Sequence, residues 1–289
     1  MPKSNNRRSV AGGKRHIKEL DPSVIDPTSL IMLIGKRNTG KTYLMKDLAW
    51  NWHNHGMKDG AKIDMVICMS PTELLKGDFR SFIPYAHLYP CFNESVVYAI
   101  REKQKKVIKE HGLEKAQRIL LLIDDCSFEK GFFKSECMRF IAMVFRHFNV
   151  CVVISCQYAL DIPTAIRSNL DVVIALRDNA RSNKERYHKH FYGVVPTFPE
   201  FQNIFDDLTS HHGCMVLINN MEQTSKWEDS MFWYKAAPEG VVPKHFRMGR
   251  AAYWCLSDYC FVDEDAAEDA RRAEENGRCI VKVDRNGAR

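Results

Sequence analysis

Residues 35–42 read GKRNTGKT and follow directly on the apolar run IMLI at 31–34. Gly35, Gly40, Lys41 and Thr42 meet the spacing G-x-x-x-x-G-K-[ST], in which each position has a physical task. The glycines allow a tight backbone path. Successive backbone N–H groups, those of Asn38 and Thr39 included, can then point inward at an anion. A helix starting at Lys41 sets its positive dipole end against that anion. The Lys41 ammonium suits β- and γ-phosphates, and the Thr42 hydroxyl suits a magnesium ion. The flanking pattern agrees with a phosphate loop, because an apolar strand precedes it and the helical segment KTYLMKDLAWNWH follows it.

Outward from the loop, apolar runs alternate with helical patterns. IDMVICM at 63–69, ILLLIDD at 119–125, VCVVIS at 150–155 and DVVIAL at 171–176 read as strands. NESVVYAIREKQKKVIKEHG at 93–112 and SECMRFIAMVFRHF at 135–148 read as helices, with a short helical turn near 161–168. Continuous rather than alternating apolar strands are buried on both faces, as in a parallel sheet covered by helices. The expected fold is therefore α/β, with a central, mostly parallel sheet flanked by helices. CMVLIN at 214–219 and MFWYKA at 231–236 read as added C-terminal strands.

Residues 1–27 read as a basic, disordered arm, 28–240 as the nucleotide-binding domain and 241–289 as a partly ordered extension with a charged helix over DEDAAEDARRAEEN. The net charge of +6 is a mild bias, compatible with a nucleic-acid partner without arguing for one. The ten cysteines are scattered, and several lie in or beside apolar runs, which fits a reducing compartment better than a disulfide framework. The spacing of cysteines and histidines does not suit zinc. No stretch of eighteen apolar residues exists, so no membrane span is expected, and the basic N-terminus lacks the apolar core of a secretory signal.

A phosphate-loop enzyme needs an acid to hold magnesium at the C-terminal end of a neighbouring strand. ILLLIDD delivers Asp124 there, and Asp125 beside it can orient or activate a water. Taken alone, paired aspartates at a strand end also suit a turn or a helix cap. Gln157, past the end of the next strand, can contact the γ-phosphate or the water, or can simply cap the strand. Arg146, just before that strand in FRHFNV, can serve a neighbouring subunit's nucleotide, or can be a surface arginine near a helix C-terminus. Arg167 and Arg177 are weaker candidates for related roles, and Glu129 is a fallback base.

The order GKRNTGKT, ILLLIDDC, FRHFNVCVVISCQ, IPTAIRSNLDVVIALRD resembles the FtsK–HerA class of P-loop ATPases. It resembles most the pox-type genome-packaging ATPases of large double-stranded DNA viruses, over about residues 28–235. The resemblance implies an ASCE/RecA-like P-loop NTPase fold, with the Gln157 strand between the phosphate-loop strand and the Asp124 strand. It implies ATP bound by Gly35, Asn38, Thr39, Gly40, Lys41 and Thr42, with Mg2+ on Thr42 and Asp124. Asp125 would then be the catalytic base, Gln157 the sensor and Arg146 the trans-acting finger. The class usually carries Glu where this chain has Asp125, whose side chain is one methylene shorter.

The same resemblance implies a homo-oligomeric ring, usually of about five or six subunits, threaded by double-stranded DNA, with capsid or portal-vertex components as partners. Such a protein would work in the host cytoplasm or virus factory, or associate with the virion. The expected function is an ATP-hydrolysing translocase that packages viral DNA into the capsid. A cellular translocase of the HerA/FtsK kind and a nucleotide-binding switch or scaffold without turnover are the alternatives. DNA grip should fall on phosphates. The arm, REKQKKVIK at 101–109 and RSNKERYHKH at 181–190 are candidates, though the first helix also reads as an ordinary solvated amphipathic face.

Overall fold

A computed structural model describes residues 7–10, 15–128, 131–158, 162–219 and 226–260. The apolar runs form the centre of one mixed sheet. Its parallel part consists of β3 (Leu30–Ile34), β4 (Met65–Met69), the short β5 (Leu88–Tyr89), β6 (Ile119–Ile123), β7 (Val150–Cys156) and β8 (Val172–Leu176). Across the sheet the order of these strands is β8-β3-β7-β6-β4-β5. Beyond β8 the sheet continues through β9 (Cys214–Ile218) and β10 (Met231–Tyr234), the expected added C-terminal strands, which pair antiparallel with each other. The five longer parallel strands are buried along their whole length, which is why their sequences read as unbroken apolar runs.

Alternate residues of each strand serve opposite layers. On one face Ile31 and Leu33 meet Leu44, Met45, Leu48 and Trp52 of α1 (Lys41–His55). On the other, Leu30, Met32 and Ile34 meet side chains from α3 (Glu94–His111), α4 (Glu136–Val144), α6 (Arg181–His190) and α7 (Phe198–Leu208). Two smaller helices, α2 (Glu73–Lys76) and α5 (Thr164–Arg167), lie in the connections. This is the expected P-loop NTPase architecture. The strand ending at Gln157 lies between the phosphate-loop strand and the Asp124 strand.

Two segments depart from the sequence expectation. The helix expected over 135–148 ends as an α-helix at Val144 and tightens into a 3-10 turn over Phe145–Phe148, closed by Asn149 at φ 55°. Arg146 lies in that turn. The expected arm is structured at its inner end. β1 (Arg7–Val10) pairs antiparallel with β2 (Arg15–Glu19), and β2 pairs parallel with β10, while Ile17, Leu20 and Ile25 are buried. The basic composition hid a strand with one inward-facing apolar residue, Ile17, between exposed neighbours.

Residues 241–260, part of the expected extension, lie on the main body. Phe246 N–H and Met248 N–H donate to Ser81 O and Phe82 O, and α8 (Ala251–Cys260) follows. Arg250 donates to the Asp64 carboxylate at 2.9 Å. The helix expected over DEDAAEDARRAEEN lies outside the described residues, as does Glu129. Cys68, Cys126, Cys151 and Cys156 are buried free thiols, whereas Cys91 is exposed.

Candidate nucleotide site

β3 ends at Ile34 and the chain turns through GKRNTGKT into α1. The turn needs a left-handed backbone at Asn38 (φ 59°) and Gly40 (φ 91°). Gly35 is required for another reason. A Cβ there would lie 2.6 Å from the Thr39 hydroxyl oxygen and 3.1 Å from Leu176 Cβ. Gly40 caps α1 without a side-chain acceptor, so the helix presents its first N–H groups toward the loop. Lys41, 8% exposed, curls back over the loop and donates to Gly35 O at 2.7 Å and Lys36 O at 3.0 Å. Burial pushes its pKa down, and the Asp125 and Asp124 carboxylates oppose that shift. A cation held this way favours a polyanionic ligand, which would restore the charge balance.

Asp124 leaves the end of β6 only 2% exposed. One carboxylate oxygen accepts from Thr42 Oγ1 at 3.1 Å and the other from Ser155 Oγ at 2.6 Å. Desolvation raises its pKa, while the Ser155 and Thr42 hydrogen bonds pull it down. Thr42 Oγ1 and Asp124 Oδ2 thus converge beside Lys41, and this hard-oxygen pair fits a magnesium ion carried by a nucleotide. Asp125 takes a left-handed backbone (φ 52°), and its N–H donates to Ser155 Oγ at 3.0 Å. Its carboxylate accepts twice from Gln157 Nε2, at 2.8 and 2.9 Å. The predicted base and the predicted sensor are therefore direct partners.

Ser155 was not singled out from sequence, yet it touches both acids. The available signal was a lone hydroxyl inside VCVVISC, where every other side chain is apolar or a thiol. Lys36 is the other missed loop residue. It forms an ion pair at 2.9 Å with the buried Asp178, which also accepts from Ala180 N and Asn183 Nδ2, so the loop is moored to the segment after β8.

The site opens into a cleft of about 1130 Å³. One wall is Thr72 and residues 76–79, and the other is formed by Glu239, Gly240, Val242 and Lys244. The second wall is tied to α1 along successive turns. Tyr43 OH donates to Ala237 O at 2.8 Å, Lys46 Nζ to Lys244 O at 2.8 Å, and Ala237 N–H to Asp47 at 3.0 Å. No local pattern linked residues 237–244 to α1.

Arg146 does not join this cluster in its own chain. It precedes the first residue of β7 and contacts Asn169 O and Asp171, both just before the start of β8. The phosphate loop follows the last residue of β3, so about five residues of strand, or roughly 16 Å, separate the two ends. Arg167 donates to Thr164 Oγ1 on α5, again at the far end, and Arg177 donates to Asn179 beyond the end of β8.

Residues 23–190 match the family described as Poxvirus A32 protein. An uncharacterised protein of Invertebrate iridescent virus 3 is 29% identical over 248 residues, covering 82% of this chain and 91% of the relative. An uncharacterised protein of Frog virus 3 is 30% identical over 226 residues, covering 78% of this chain and 66% of the relative. Among solved structures, the genome packaging NTPase B204 from Sulfolobus turreted icosahedral virus 2, in complex with ATP-gammaS, is 14% identical. It gives a TM-score of 0.49 and covers 73% of this chain and 98% of that one. The family match spans more than half of the chain and takes in the phosphate loop, both acids, Arg146 and Gln157. The chain belongs to the Poxvirus A32 protein family, the genome-packaging ATPases that its motifs resemble.

Proposed function

We propose that the chain is an ATP-hydrolysing motor that moves double-stranded DNA and packages a viral genome into its capsid. One observation carries this reading. Lys41, the Thr42–Asp124 pair and the Asp125–Gln157 pair converge at the C-terminal ends of three adjacent strands. Lys41 would release the loop carbonyls and take the phosphates. Thr42 and Asp124 would hold Mg2+, which neutralises charge on the phosphates when bound. Asp125 would accept the proton of the attacking water, and Gln157 holds that carboxylate until the γ-phosphate arrives. Arg146, turned away from its own site, would stabilise the transferring phosphoryl group in the next subunit of a ring. Family membership and the viral relatives support the packaging role. Capsid or portal-vertex proteins would be partners, and the host cytoplasm or virus factory the place of work.

Phosphate release in the presence of duplex DNA tests this reading. Lys41→Ala should reduce the rate to background, and DNA should raise the wild-type rate. Release at the level of the Lys41→Ala control under all conditions would contradict it. The double hydrogen bond from Gln157 to Asp125 also favours a second reading, a switch that binds ATP without turnover. In that case Asp125→Asn would leave the state of the bound nucleotide unchanged.

A further inference from the structure

Asp171 is the first residue of the run DVVIAL, and its carboxylate meets both Leu30 and Arg146. Its Oδ2 accepts from Leu30 N–H at 2.7 Å, and its Oδ1 lies 3.7 Å from Arg146 Nη2. The backbone on both sides is fixed as well. Asp171 N–H donates to Leu30 O at 3.0 Å, and Asn219 N–H donates to Asp171 O at 2.8 Å. The carboxylate is therefore built into the junction of β3, β8 and β9. Its side chain is 6% exposed, against 36% for Arg146.

The guanidinium is held along one edge only. Nη2 donates to Asn169 O at 3.3 Å and faces Asp171, while Nε and Nη1 have no hydrogen-bond partner among the described residues. Thr28, Ser29, Phe145 and Val150 line a shallow recess beside it. An arginine held from behind by a buried carboxylate, with its other edge open, has lost much of its rotamer freedom before meeting an anion. Leu30 opens the strand that ends at the phosphate loop, so one carboxylate joins the arginine to that strand.

Resting on the reading of Arg146 as a trans-acting finger, we propose that Asp171 is a positioning residue for Arg146. It aims the open edge of the guanidinium at the nucleotide of the adjacent subunit. It touches no nucleotide itself.

Mixing full-length variants tests this separately from its premise. Lys41→Ala subunits cannot hydrolyse ATP but carry Arg146, and Arg146→Ala subunits keep an intact phosphate loop. If Arg146 acts in trans, the mixture regains phosphate release that neither variant shows alone. Adding Asp171→Asn to the Lys41→Ala donor keeps an acceptor for Leu30 N–H but removes the charge beside Arg146. The rescued kcat should then fall about tenfold with KM for ATP unchanged. Asp171→Glu in the same donor retains the charge and should restore rescue to within about threefold. Equal rescue by donors with and without Asp171→Asn overturns the positioning role while leaving the trans reading intact. Equal losses with Asn and Glu mark a merely structural carboxylate and overturn it too. Absence of any rescue by Lys41→Ala removes the premise and the proposal together.

Discussion

Asp124 and Asp125 are adjacent in sequence, yet their surroundings give them different tasks. Asp124 is buried between two hydroxyls, with its pKa raised by desolvation. It keeps a proton to higher pH when folded than when unfolded. The stability this contributes is present below the ordinary carboxylate range and is lost as pH rises from that value through the raised one. Asp124→Asn should remove this slope and raise the melting temperature near neutral pH, while ending magnesium-dependent hydrolysis. Thermal melts across about pH 4 to 8 check the sign, and a lower melting temperature at neutral pH would contradict it. Asp125 instead accepts from Gln157, an arrangement that suits its proposed role as base. Asp125→Asn should cut kcat by about 10²- to 10⁴-fold with nucleotide affinity nearly kept, measured by single-turnover hydrolysis and nucleotide titration. At this scale the motif positions were legible because the spacing itself states the chemistry. Ser155 was not, because its role depends on two acids about 30 residues away.

Among the elements, the parallel strands were the most readable part of the chain. Burial on both faces writes itself as unbroken apolar runs, and ILLLI and VCVVISC show this most fully. What stayed hidden was decided by pairing between distant segments. β2 is stabilised by β10, more than two hundred residues later, through contacts such as Leu20 N–H to Trp233 O at 2.8 Å. Local composition there is mainly basic, with Ile17 as the one apolar residue of the strand. Ile17 is the apolar anchor of that strand, with no exposed surface. Ile17→Ala should destabilise the fold by about 2–5 kcal/mol, readable as a lower denaturant midpoint. A loss under about 1 kcal/mol would show that the strand contributes little. The break after Val144 was equally hidden, since FRHF continues the helical pattern. It matters because the 3-10 turn carries Arg146 to the end of the sheet opposite the phosphate loop.

On the scale of the whole molecule, the two ends of the sheet carry complementary chemistry. The C-terminal end holds the nucleotide cleft with Asp124 and Asp125, and the N-terminal end presents Arg146. One chain keeps them at opposite ends of its sheet, and in the proposed ring a neighbouring subunit's Arg146 would face this cleft. No helix among the described residues is long and apolar enough to cross a membrane. If Arg146 is the proposed finger, Arg146→Ala should lower DNA-dependent hydrolysis by about 10³-fold or more while ATP still binds, because a finger acts on the transition state. Equal losses in binding and turnover would instead indicate a structural arginine. The most direct test of the motor itself is ATP-driven displacement of a third strand from a triplex placed on long duplex DNA. Wild-type chain should strip the third strand only with hydrolysable ATP, and Lys41→Ala should not. Hydrolysis without displacement, or equal displacement by Lys41→Ala, would contradict a DNA-translocating motor.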